Sequence, residues 1–417
     1  MLAQGEPFDG FNVIDEWQSP AAVLPWQALR DVILWARRAE TPARLFTFTA
    51  PERRAAELAD PAIPDDIRAP LTVLSRVLEP TTADAREELA QACRAISKWA
   101  DTNGFPQTAI SFAQGAALIH TVHAGHAYQV ALLCRRAAEY ERAETWYRRA
   151  LRLAVKSRDP SIAALSWLGL GNLFIQRGNY TAARTVQLRA FRIARRSGLW
   201  NIKGLALHDL FAVAVEQGQV VEAENLARQA FHAYPKGADR LPALASDVAA
   251  NWLQQGFYGR ALVVFRAVLP VLHLGSERLF IVSLIARAAA GAGDLALFTW
   301  AWTEAWTVLE REPTTNRACG VLYNLAYASA CLGDWERARM AGEYSVEVAT
   351  GRGEQQIARK AAELVGELEL QRFEHSLTPS PEEPKVLERA EALALRIVRR
   401  LAARGGLNSP RARLNPF

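Results

Sequence analysis

A small residue recurs through the middle of this 417-residue chain at nearly constant intervals. Ala143, Ala183, Ala223, Ala261 and Ala338 share one phase, and Thr108 and Phe298 stand where the same phase continues. The successive gaps are 35, 40, 40, 38, 37 and 40 residues. A bulky ring precedes several of these positions by three residues: Tyr140, Tyr180, Tyr258 and Trp335. Just ahead lie glycine turns, at Gly178, Gly218, Gly256 and Gly333. Each is placed to end one helix in the left-handed conformation before the next begins. Self-similarity at this period constrains a chain to a stack of supersecondary units, each burying its apolar face against its neighbours. The apolar period is helical throughout, and no segment alternates as a strand.

Trp167, Leu170, Gly171 and Phe174, followed by Tyr180, Ala183 and Ala190, resemble one tetratricopeptide (TPR) repeat, a helix-turn-helix unit of roughly 34 residues. The resemblance covers about residues 83–350 and fades at Thr108 and Phe298. It implies an all-α, right-handed α-solenoid of about seven TPR-like helix pairs, with helical caps at both ends. The expected organisation is an extended N-terminal segment (1–22), an N-terminal helical cap (23–82), the solenoid (83–350), a C-terminal capping helix pair (351–404) and a flexible tail (405–417). Prolines at 42, 51, 61, 64 and 70 cut the first cap into short pieces, and a proline-rich loop at 376–384 separates the last two helices.

Net charge is +5, unevenly spread. Residues 1–102 hold 16 Asp and Glu against 11 Lys and Arg, whereas 135–203 hold 15 Lys and Arg against four acids. No apolar run is long enough to span a membrane, and the acidic start is unlike a signal peptide, so a cytoplasmic location is expected. The four cysteines are scattered, with no Cys-x-x-Cys pair, and read as core residues.

No constellation for catalysis is apparent, and neither enzyme activity nor a cofactor is expected. His120, His123 and His126 are spaced three apart, but Gly125 interrupts them, and they read as a connection between repeats rather than a metal site. Trp300, Trp302 and Trp306 read as core packing.

The TPR resemblance assigns the concave groove to the first helix of each pair. Its groove positions fall on Tyr128, Arg135, Asn172, Gln176, His208, Arg287, Tyr323 and Tyr327. Asn172 stands where peptide-binding members carry an amide that both donates to and accepts from a peptide backbone. Arg135 and Arg287 suit a carboxylate. No lysine joins Asn172 in the pattern of a chaperone-tail clamp. These residues equally fit the solvated groove that any such array possesses.

On the other face, Arg149, Arg152 and Lys156, then Arg189, Arg192 and Arg196, then His232 and Lys236 repeat in register and form a convex basic stripe. It suits an acidic protein surface or nucleic acid, or is a solvated face with few aromatics among its charges. The expected function is a non-enzymatic adaptor holding a protein or peptide in the groove. The alternatives are a peptide-sensing regulator acting on a transcription or signalling partner, and a binder of nucleic acid or an acidic partner through the stripe.

Overall fold

The computed structural model describes residues 10–38, 46–79, 85–272, 275–312, 317–352, 354–373 and 384–405. Among them there are α-helices, short 3-10 turns and no strand. The chain divides into two compact units, Met1–Asp209 and Leu210–Phe417.

The first unit comprises α1 (Asn12–Trp17), α2 (Val23–Arg38), α3 (Ala50–Leu58), α4 (Asp65–Ser75), α5 (Arg86–Thr102), α6 (Pro106–Ile119), α7 (Ala124–Arg136), α8 (Tyr140–Ser157), α9 (Pro160–Gln176) and α10 (Tyr180–Arg196). The division falls inside α11 (Trp200–Glu216). The second unit continues with α12 (Val220–Ala233), α13 (Leu241–Gln254), α14 (Tyr258–Val268), α15 (Gly275–Ala292), α16 (Leu295–Arg311), α17 (Ala318–Cys331), α18 (Trp335–Gly351), α19 (Gln355–Glu369) and α20 (Pro384–Gly405).

Helices pack as consecutive pairs: α5 with α6, α7 with α8 and α9 with α10 in the first unit, and α13 with α14, α15 with α16 and α17 with α18 in the second. First helices also touch across pairs, α7 with α9 and α15 with both α13 and α17. The small residues explain this. Thr108, Ala143, Ala183, Ala223, Ala261, Phe298 and Ala338 are all buried. An alanine methyl at that point lets two helix axes approach closely, and Phe298, a buried ring on α16, is the exception. The preceding rings behave less uniformly. Tyr258 is buried beneath Gly291, whereas Tyr140 and Trp335 are largely exposed.

The turn glycines adopt the left-handed region as the sequence requires: Gly178 at φ 71°, Gly218 at 67°, Gly256 at 84° and Gly333 at 73°. Ala138 occupies the equivalent place before α8 at φ 62°. An L-residue there costs about 1–2 kcal/mol. Because Ala138 is exposed, Ala138→Gly is expected to stabilise the fold by about 1 kcal/mol, read as a rise in melting temperature. A lowered melting temperature would show that the turn is not strained.

Two expectations need correcting. Residues 10–22 are not simply extended: α1 forms, and Glu16 accepts from the backbone N–H groups of Gln107 (2.7 Å) and Thr108 (2.6 Å). Phe105 offers no side-chain cap to α6, so a carboxylate from α1 takes its orphan donors. The second concerns α20, which lies against α14, with α12 and α13, rather than pairing with α19 as a terminal cap. Its buried stripe is Ala390, Leu393, Ala394, Ile397 and Leu401. Arg400 donates to the carbonyl oxygens of Phe231 (2.8 Å), Tyr234 and Pro235, where α12 ends, and Arg404 donates to Ala238 O and Asp239, each at 2.7 Å. The loop expected at 376–384 and the tail expected at 405–417 lie outside the described residues, apart from Pro384 and Gly405.

Candidate functional site

Within the first unit, Tyr128 and Arg135 on α7 converge on Tyr147 of α8. The two tyrosine rings are 5.9 Å apart, and Arg135 hydrogen-bonds the Tyr147 side chain. Burial raises the Tyr147 hydroxyl, with Arg135 pulling the other way. The sequence reading missed Tyr147. Its signal was Gly169, where an added Cβ would sit 2.3 Å from that ring. Asn172 is half-buried on α9, Gln176 is exposed, and His208 is half-buried on α11.

The second unit holds the denser constellation. Arg287 on α15 donates to Asn324 Oδ1 (3.1 Å), and Asn324 Nδ2 donates to Ser283 Oγ (3.0 Å), which donates to Phe280 O (2.7 Å). This chain locks one face of the guanidinium. Another rests on Tyr327, with Cζ 4.2 Å from the ring centroid. Tyr323 and Tyr327 are one turn apart on α17, 6.3 Å between centroids, and Phe373 meets Tyr327 edge-on at 5.5 Å. Burial raises the hydroxyls of Tyr323, Tyr327 and Tyr258, and pushes the Cys331 thiol up to about 12. All four stay neutral at physiological pH. Arg287 is half-buried, its Nε has no hydrogen-bond partner, and no carboxylate of the described residues pairs with it. Of the residues sharing this site, Asn324 and Phe373 were not anticipated as functional. Ser283 and Asn324 are buried polar side chains on apolar helix faces, which is a readable signal.

The basic stripe separates into two situations. On α8 and α10, Arg152, Lys156, Arg192 and Arg196 are exposed. Arg149 donates to Thr121 O (3.2 Å) and stacks on Trp146 at 5.2 Å, and Arg189 stacks on Trp167 at 5.0 Å. Aromatics therefore do interleave these charges, contrary to the sequence reading. In the second unit α12 ends at Ala233, so Lys236 lies beyond the helix. His232 there faces Arg396 of α20 at 3.3 Å. Burial and then the charges of Arg396, Arg228 and Arg400 lower its pKa.

The three histidines do meet, at the α6–α7 connection. His123 and His126 rings are 4.1 Å apart, and His120 is 5.8 Å from His126. Among the described residues no group of three His, Cys, Asp or Glu is arranged to hold a metal. His126 is buried, and burial, then His123, Arg94 and His120, push its pKa from 6.5 down to about 4, with Glu87 opposing. The unfolded chain therefore binds a proton below about pH 6.5 that the folded chain refuses until about pH 4. Stability is full above pH 6.5 and falls through that window, by about 3 kcal/mol in order of magnitude. His126→Leu is expected to flatten the melting temperature between pH 7 and pH 4.5 relative to wild type, whereas an unchanged profile would show that His126 is not the linked group.

The described residues form an all-α array of adjacent helix pairs, the fold class that the TPR resemblance implies. No family model and no curated protein matches the chain. Solved TPR-type structures with a likeness to it include PilF of Pseudomonas aeruginosa (16% identity, TM-score 0.41, covering 56% of this chain and 97% of that one). A Rap protein complexed with Competence and Sporulation Factor aligns over 82% of this chain and 99% of its own (14% identity, TM-score 0.49). The TPR2AB domain of yeast Sti1, in complex with pHSP90, aligns over 68% and 99% (14% identity, TM-score 0.28). No helix among the described residues is long and apolar enough to cross a membrane.

Proposed function

We propose that this chain is a non-enzymatic TPR-type scaffold that holds a peptide or protein segment through a carboxylate seated on Arg287. The observation that supports this reading is the guanidinium itself. It is half-buried, oriented by Asn324 and Tyr327, and has no carboxylate partner among the described residues. A charge held out of bulk water without a counter-ion favours an anionic ligand, and a planar guanidinium held in place by Asn324 and the Tyr327 side chain fits a carboxylate. The neutral hydroxyls of Tyr323 and Tyr327 supply neighbouring donors, and the Phe373 ring offers an apolar flank. Glu363 and Glu367 act on Tyr323 through space and favour a cationic residue further along the ligand. The four free cysteines, three of them buried, suit a reducing compartment such as the cytoplasm.

A peptide library displayed as free acids and as C-terminal amides tests this. Free acids, or peptides carrying an internal Asp or Glu, are expected to bind, and Arg287→Gln to weaken the best of them about ten- to a hundredfold, the loss of a charged hydrogen bond. Equal affinity of the variant, or equal binding of uncharged amides, would overturn the assignment.

A further inference from the structure

Between α8, α9 and α10 the first unit has an open cleft of about 430 Å³. Its floor is apolar, formed by Trp167, Leu170 and Phe174 of α9. Its rim is cationic: Arg148 and Arg152 stand on α8 and Arg189 on α10. Arg148 shares the carboxylate of Glu144 with Arg177. Arg152 and Arg189 have no carboxylate partner among the described residues, and Arg149 adds a further positive charge close to Arg152. Apolar surface flanked by two guanidinium groups without a carboxylate, Arg152 and Arg189, is an unusual combination, because charges normally stand over solvent and apolar floors are normally closed.

We propose that this cleft is a second docking site, separate from Arg287, for an acidic peptide segment in which one bulky apolar side chain is flanked by Asp or Glu. The apolar side chain fills the floor, and the flanking carboxylates reach Arg152 on one wall and Arg189 on the other. Charge complementarity selects this occupant over others. Nucleic acid would satisfy the arginines and leave the floor unfilled, and the Trp167 face that a base would stack on already carries Arg189. A long acyl chain would outgrow a cleft of this volume, which is that of a side-chain or small-ligand pocket.

The test uses the full chain and a fluorescein-labelled peptide Glu-Asp-Phe-Leu-Asp-Glu, read by anisotropy at low salt. Saturable binding is expected, weakened about tenfold or more by the surface double variant Arg152→Glu/Arg189→Glu. The same peptide with Phe and Leu replaced by Ser should bind about tenfold less tightly, because the floor is then unfilled. Because the Arg287 site also admits internal Asp and Glu, the titrations are repeated in Arg287→Gln, where saturable binding that the double reversal weakens should persist, so failure here and failure of the groove reading are told apart. The proposal is overturned if the hexapeptide does not bind, if the serine peptide or a single-stranded hexanucleotide binds as tightly, if the double reversal has no effect, or if Arg287→Gln abolishes binding.

Discussion

Gly169→Leu is expected to unfold the α7–α9 region rather than merely soften it. The Gly169 Cβ position lies 2.3 Å from Cε1 and Cζ of Tyr147 and 2.8 Å from Cδ1. That ring is almost wholly buried, pinned by Tyr128 and hydrogen-bonded by Arg135, so it has no free rotamer into which to retreat. Overpacking typically costs about 1–3 kcal/mol, and a rigid ring at the first added atom places this change at the upper end or beyond. Gly171, two residues on, meets the more pliable Gln187 chain at 2.8 Å. Gly171→Leu is therefore destabilising but milder. Thermal melts of the two variants give the ranking, and a Gly169→Leu protein that melts like wild type would refute the packing of α8 under α9.

The second large effect is expected at α20. Ile397 is fully buried, and Ile397→Asp would place a carboxylate on the apolar stripe. Burying an unpaired charge costs several kcal/mol, which exceeds what the arginine contacts along the same helix supply. The helix should therefore detach, leaving α12, α13 and α14 uncovered. Limited proteolysis reads this directly: cleavage within 384–405 should become fast in Ile397→Asp and stay slow in Leu395→Asp, whose side chain is exposed. Equal protection in both variants would show that α20 is not held by its apolar face.

These two sites also show what was legible in the sequence. Helix pairing was readable because it rests on local signals: a left-handed glycine before most second helices, with Ala138 before α8, and an alanine at most crossings. The docking of α20 was not, because its partner is more than 100 residues away and nothing local encodes it. A trace of it existed. The basic stripe stops after α12, and Ala267 on α14 and Pro270 just beyond it stand where arginines would otherwise be, leaving a less polar outer surface for a helix to cover. The groove was partly legible. Arg287, Tyr323 and Tyr327 were identified by repeat position and do assemble, but Asn324 lies on the buried side of α17 and was invisible to a rule that looks only at groove positions. Tyr147 escaped for a similar reason, since its position is normally interior, and only Gly169 betrays the ring passing beneath α9.

The central claim is that ligand is held at Arg287. Hydrogen–deuterium exchange of the full chain, with and without the tightest free-acid peptide from the library, measures this most directly. Added protection is expected in α15 around Ser283–Arg287 and in α17 around Tyr323–Tyr327, and should vanish in Arg287→Gln. Protection confined to α8 and α10, with α15 and α17 exchanging as in the free protein, would contradict it.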